Sequence, residues 1–219
     1  VGYPTSALFS YRYSRLDQEG ASGSHEGMGQ PLYWTSDGRE VHADRISSSD
    51  VNSMVYSGQT DPKVNMAMEN SLSYKGFGLN FMMVYYGGHK MRVRQYYPLY
   101  QWSIYAPLDD YYVNSWTPEN TDTDVPGIGE HSYLNTLGSE YLYTDIFVRS
   151  ADFIKIRNIT LSYNVPETVV RRVGMSNLQV RFQVDNLPAL WKKNGVGVDP
   201  ETLGIRRQMT YVVGLNFKF

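Results

Sequence analysis

Met209-Thr-Tyr-Val-Val-Gly-Leu-Asn-Phe-Lys-Phe219 closes the 219-residue sequence, and its alternation decides the fold. Tyr211, Val213, Leu215, Phe217 and Phe219 share one parity, and Thr210, Val212, Gly214, Asn216 and Lys218 share the other. Successive side chains of a strand point to opposite faces, so this stretch reads as a strand with one large apolar face and one small or polar face. Its length of roughly 10 residues is what a tilted strand needs to cross the hydrocarbon core of a bilayer. A soluble sheet edge shows the same alternation, so the rest of the chain has to separate the two.

Asn177 to Leu187 repeats the pattern, with Leu178, Val180, Phe182 and Val184 against Asn177, Gln179, Arg181, Gln183 and Asp185. A sandwich core would leave those charges buried and unpaired, at high cost, whereas a wet lumen accepts them. Arg181, Gln183 and Asp185 are therefore expected to face a lumen. Val64 to Tyr86 reads as a hairpin around the two-residue turn Lys75-Gly76. Met66, Met68, Leu72 and Tyr74 continue into Phe77, Leu79, Phe81, Met83 and Tyr85 on one face, interrupted only by Asn70, and Glu69 joins the lumen set on the other. The lumen parity of the second hairpin strand, Gly78, Asn80, Met82, Val84 and Tyr86, is less polar than that picture wants.

Within Ala151 to Tyr163 the apolar parity switches between Ile154/Ile156 and Ile159/Leu161/Tyr163, which a bulge near Arg157 and Asn158 would reconcile. Asn164 to Ser176 reads as a short helical turn ended by Gly174. Ala7 to Arg15, with Phe9, Tyr11 and Tyr13 on one parity, is expected to be a strand of the same wall. Six strands are thus placed near residues 7–15, 64–74, 77–86, 151–163, 177–187 and 209–219. Long segments at 16–62, 87–150 and 188–208 alternate with short turns, as in outer-membrane barrels with short periplasmic turns and long extracellular loops.

Composition agrees with an all-β chain: 42% hydrophobic, 14% aromatic, 19 Tyr and 19 Gly exclude a disordered tail and leave few helix-period runs. A net charge of −2 without a basic cluster argues against nucleic acid. With no cysteine there is no disulfide, thiolate nucleophile or cysteine zinc site. Residues Val1 to Ser10 lack the basic and apolar regions of a secretion signal, so the chain is expected to start as a mature or internal piece. His25, His42, His89 and His131 are scattered, and Asp122, Asp124 and Glu130 lack a calcium-loop framework. Gly-x-Ser-x-Gly, P-loop and His-Glu-x-x-His motifs are absent as well. No metal, no cofactor and no catalytic residue is expected.

Ala151-Asp-Phe-Ile-Lys-Ile-Arg-Asn-Ile-Thr-Leu-Ser-Tyr-Asn-Val-Pro166 resembles a characteristic block of SusC/RagA-type TonB-dependent outer-membrane transporters. Further blocks agree in order, among them Asn70-Ser-Leu-Ser-Tyr-Lys-Gly-Phe77, Trp116-Thr-Pro-Glu-Asn120, Asp185-Asn-Leu187, Asp199-Pro-Glu201 and Gly214-Leu-Asn-Phe217. The likeness covers nearly the whole chain. It departs at Asp185-Asn186, where the family usually has Gly or Gln before the Asn, and that bars fine inference about substrate.

The resemblance implies the carboxy-terminal six strands of a 22-stranded antiparallel transmembrane β-barrel in the outer membrane of a Gram-negative bacterium. It implies active import of oligosaccharides or peptides, not an enzyme. It also implies a SusD-like surface lipoprotein as lid and a TonB/ExbB/ExbD complex engaging a plug that lies outside this sequence. The remaining strands of the same barrel and outer-membrane lipids would be further partners. On this reading Tyr33, Trp34, Tyr96, Tyr97, Trp102, Trp116 and Trp191 are candidates for substrate or lid contact, although loop aromatics also serve simply to pack a loop. Tyr211, Val213, Leu215, Phe217 and Phe219 would form the terminal assembly strand. A soluble, aromatic-rich β-sandwich that binds or hydrolyses glycans is the alternative, and it should bury one sheet face against another.

Overall fold

In a computed structural model of the chain, residues 2–20, 28–46, 51–93, 113–127, 138–203 and 206–219 are described. Their strands are β1 (Ala7–Leu16), β2 (Pro31–Trp34), β3 (Glu40–Val41), β4 (Met54–Gln59), β5 (Val64–Tyr74), β6 (Phe77–Gly87), β7 (Lys90–Arg92), β8 (Val148–Ser150), β9 (Phe153–Asn164), β10 (Asn177–Asp185), β11 (Ala189–Lys192) and β12 (Thr210–Lys218). Among the described residues helix is confined to short turns, and no helix is long and apolar enough to cross a membrane. The chain divides into two compact units, residues 1–59 with 92–149, and residues 60–91 with 150–219.

The second unit is an antiparallel sheet in the order β12-β10-β9-β6-β5, with β11 continuing the edge of β9 beyond β10. Two of its connections are made by devices that suit their sequence. Lys75 (φ 46°) and Gly76 (φ 87°) take the two positive-φ positions of a tight hairpin turn, so β5 and β6 pair from Tyr74↔Phe77 to Val64↔Gly87. Between β9 and β10 a helical turn, Glu167–Val170 and Arg171–Val173, stops at Gly174 (φ 75°), where the amide of Met175 closes back on the carbonyl of Val170.

Between β6 and β9 the register slips by one, with Met82 opposite Asn158 and Met83 opposite Ile156. The extra residue is Arg157. This bulge carries Ile154 and Ile156 onto the face that holds Ile159, Leu161 and Tyr163, where the strand's parity alone would have split them.

Cross-strand partners share a face, so the registers define two surfaces. One carries rows such as Leu72–Leu79–Leu161–Phe182–Val213 and Tyr74–Phe77–Tyr163–Val180–Leu215. Its side chains are open to the surroundings: Phe182 is 42% exposed, Leu215 64% and Val213 72%. Met66, Met68 and Met83 form a patch of thioethers on the same surface, with Met68 directly opposite Met83 and Met66 opposite Tyr85. Asn70, opposite Phe81, is its one polar interruption on β5.

The first unit departs from expectation. Ala7–Leu16 does form a strand, but it lies in a separate sheet ordered β3-β2-β1-β4, flanked on both sides by strands from the supposed loop 16–62. Tyr11 is not on an open apolar face: it is 4% exposed and packs with Tyr33 and Ile46. Tyr141 and Phe147 form a second small core, with Tyr13 against it. Arg92 ties this unit internally, donating through Nη2 to the Phe9 carbonyl and Ser10 Oγ and through Nη1 to the carbonyls of Leu142 and Thr144.

Candidate functional site

Opposite the apolar surface of the second unit lies a polar one. Glu69 stands across from Met82, Arg181 from Ser162 and Gly214, Gln183 from Thr160 and Val212, and Asp185 from Asn158 and Thr210. Small partners leave room for long ones, and a side chain at Gly214 would meet the Arg181 guanidinium at 3.7 Å. Gln183 Nε2 holds both oxygens of Asp185, at 2.9 and 3.0 Å. Glu69, Arg181, Gln183 and Asp185 therefore share the polar face.

Toward the end of this face away from the Lys75-Gly76 turn, residues 193–203 follow β11 and return to β9. Positive φ at Asn186 (58°), ahead of Pro188, breaks β10 from β11. The segment is held by its own polar groups: Asn194 Oδ1 accepts from the Val196 amide while its Nδ2 donates to the Val198 carbonyl, and Asp199 Oδ1 accepts from the Glu201 amide. Its anchor is Glu201. One carboxylate oxygen takes Lys155 Nζ at 2.5 Å and the other takes Arg157 Nη1.

Arg157 Nη2 also donates to Tyr86 Oη at 3.2 Å, its guanidinium lies 5.6 Å from the centre of that ring, and Phe153 stacks beyond it at 5.2 Å. Lys155 is 3% exposed. Burial works against ionisation of Glu201, but the hydrogen bonds from Lys155 and Arg157 outweigh it and hold the carboxyl below its ordinary value. Sequence reading missed this cluster, because Lys155 and Arg157 sit in a strand while their counter-charge lies 44 to 46 residues away. The Asp199-Pro-Glu201 block was its only local signal.

The aromatic candidates separate on burial. Tyr33 is fully buried in the Tyr11 and Ile46 core, and Trp116 is 8% exposed with its ring against Gly29 and Gly127. Both pack the first unit, and a contact role does not fit them. A β-carbon on Gly29 would fall 2.6 Å from the Trp116 ring, so the glycine is what lets the indole in. Trp191 is 45% exposed, but a bulge at Leu190 puts it opposite Ile154, on the apolar surface and not on the polar one. There it extends an aromatic row with Tyr85. Trp34, 37% exposed at the end of β2, keeps an open face.

Tyr96, Tyr97, Trp102 and Glu130 lie outside the described residues. Among the described residues no three metal-type ligands converge.

No protein-family model matches the chain. Curated relatives do. TonB-dependent receptor P3 of Formosa agariphila is 25% identical over 239 aligned positions, covering 100% of this chain and 22% of the relative. TonB-dependent receptor P26 of the same organism is 28% identical over 169 positions, covering 74% of this chain and 16% of its own length. Among solved structures the RagAB peptide transporter superposes with a TM-score of 0.68 at 21% identity, over 100% of this chain and 23% of that one. A "closed-closed" state of the RagAB peptide importer gives a TM-score of 0.70. The chain thus spans under a quarter of the length of the proteins it matches. In sequence the chain is similar to TonB-dependent receptors, and in fold to the β-barrel portion of the RagAB peptide transporter.

Proposed function

We propose that the chain is part of the wall and outer loops of an active importer in the outer membrane of a Gram-negative bacterium. It works with a SusD-like surface lipoprotein and takes up oligosaccharides or peptides under the drive of a TonB complex. The observation that carries this reading is the sidedness of the sheet β12-β10-β9-β6-β5: one surface apolar but for Asn70 and open to the surroundings, the other holding Arg181, Gln183, Asp185 and Glu69.

From Phe77 to Tyr85 the apolar surface of β6 rises about 26 Å along the strand at roughly 3.3 Å per residue. That is the scale of a barrel's lipid-facing band, about 25 Å tall, before tilt shortens it. A soluble sandwich would cover this surface with a second sheet, yet Phe182, Leu215 and Val213 carry no such cover. The curated relatives are receptors, and the solved neighbours are described as a peptide transporter, which favours transport over glycan hydrolysis.

Among the described residues no strand pairs with the outer edge of β12 or of β5. Each backbone group left unpaired in hydrocarbon costs several kcal/mol, so both edges pair with strands from polypeptide outside this sequence. The test is to express the complete receptor, locate it by membrane fractionation and follow energised uptake of labelled oligosaccharides and peptides. Heat-modifiable gel mobility with uptake lost on TonB deletion is expected. A receptor recovered soluble without detergent sinks the proposal.

A further inference from the structure

Lys155 and Arg157 are an unusual pair to find on a strand face. Lys155 is 3% exposed, and both cations converge on the one carboxylate of Glu201, each taking a different oxygen. Buried cations need a counter-charge, and the only acid paired with either among the described residues arrives from a loop. The rest of the arrangement is a receptor built without Glu201. Tyr86 fixes the Arg157 guanidinium through its hydroxyl and its ring, and Phe153 backs Tyr86.

Arg157 can be there because it is the bulged residue of β9, which gives it and Lys155 neighbouring positions on the polar face. With Glu201 in place, two positive charges still meet one negative charge, so the site retains a net attraction for anions. Two separated donors aimed at two oxygens suit a planar carboxylate.

We infer that Lys155 and Arg157 form a carboxylate-binding site on the polar face, filled here by Glu201 as a tethered ligand. A carboxylate on the carried solute, such as a peptide carboxy terminus or a uronic acid, displaces Glu201 and unlatches residues 193–203. The second half rests on the importer reading; the first does not. Among the described residues, apart from Glu201, the segment keeps bonds within itself, one from Lys192 Nζ of β11 to the Gly197 carbonyl, and a tie to Asp152, whose carbonyl accepts from the Lys193 amide and whose carboxylate lies 3.9 Å from Lys193 Nζ. Removing Glu201 therefore takes away its sole anchor over Lys155.

The experiment uses the complete receptor in detergent and needs no transport. Amide exchange of residues 193–203 is compared between wild type and Glu201→Gln, with β9 and β10 as internal reference. Binding of carbon-13 acetate is compared by saturation-transfer NMR in wild type, Glu201→Ala and Lys155→Met/Glu201→Ala. Exchange across 193–203 is expected to accelerate by about tenfold or more in Glu201→Gln while the strands stay protected. Acetate is expected to bind Glu201→Ala at least about tenfold more tightly than wild type, where it must displace Glu201, and not to bind Lys155→Met/Glu201→Ala.

If Glu201→Ala does not assemble, acetate against chloride at equal ionic strength on wild type replaces it, and acetate alone should speed exchange of 193–203. Unchanged exchange in Glu201→Gln overturns the latch. Acetate bound no better by Glu201→Ala than by wild type, or no acetate effect in the wild-type experiment, overturns the site. Absence of energised uptake in a wild-type receptor that passes both tests would count against the importer reading alone.

Discussion

Leu161 stands between Leu79 and Phe182 on the apolar surface and is 46% exposed, while its neighbour Thr160 points to the other face between Asn80 and Gln183. Leu161→Arg should destabilise the receptor in lipid by about 2 to 4 kcal/mol, and Thr160→Arg by well under half of that. Equilibrium unfolding in vesicles measures both. His89 gives a pH signature. It is 6% exposed, its Nδ1 lies 3.8 Å from Asp152, and burial, only partly offset by Asp152 and Asp61, pushes its pKa below the ordinary 6.5. The neutral ring is the one the fold accepts, so the stability it contributes is full above pH 6.5 and is lost as pH falls through that value toward the lowered one. Amide protection around Gly88 and His89 should accordingly weaken from pH 7 to pH 5 and stay flat in His89→Gln. Sequence named the aromatic candidates at this scale but not their roles. Tyr33, Trp34, Trp116 and Trp191 are alike as residue types, and only packing against Ile46, the approach of Gly29, or the slip at Leu190 sets them apart.

Strands β5, β6, β10 and β12 were legible because each separates two different environments, and that alone imposes a period of two. The Arg157 bulge was legible for the same reason: a strand whose two faces meet different surroundings switches parity by taking in one extra residue. The short strands β2, β3 and β4 were not: with 4, 2 and 6 residues they offer too few alternations, and β2 and β4 find their partner β1 across long intervening segments, while β3 pairs only with the short β2. Turns carry their own energetics. Gly76 has φ 87°, and a β-carbon there would come within 3.0 Å of the Asn164 carbonyl oxygen, so Gly76→Ala should cost more than about 1 kcal/mol. Lys75→Asn keeps a residue that tolerates positive φ and should be close to neutral. Thermal shifts in gel mobility of the assembled receptor compare the two.

For the molecule as a whole, the proposed importer function depends on segments beyond the sheet. Removing residues 96–112, an aromatic-rich part of the second long segment, should abolish uptake or capture of the lipoprotein partner while leaving assembly intact; unchanged growth on the native substrate would show that stretch to be dispensable. The methionine patch on the apolar surface has a chemical consequence. Met66, Met68 and Met83 carry thioethers that peroxide converts to polar sulfoxides, and Met82, one residue from Met83, lies on the opposite face. If the apolar surface faces lipid as proposed, lipid shields the first three and water reaches the fourth. In a bilayer, mild peroxide should therefore oxidise Met82 ahead of Met83, and stripping the lipid should erase the difference. A sulfoxide formed at Met68 during oxidative stress would sit as a lone dipole in hydrocarbon, leaving the receptor dependent on repair of damage that its own membrane ordinarily prevents.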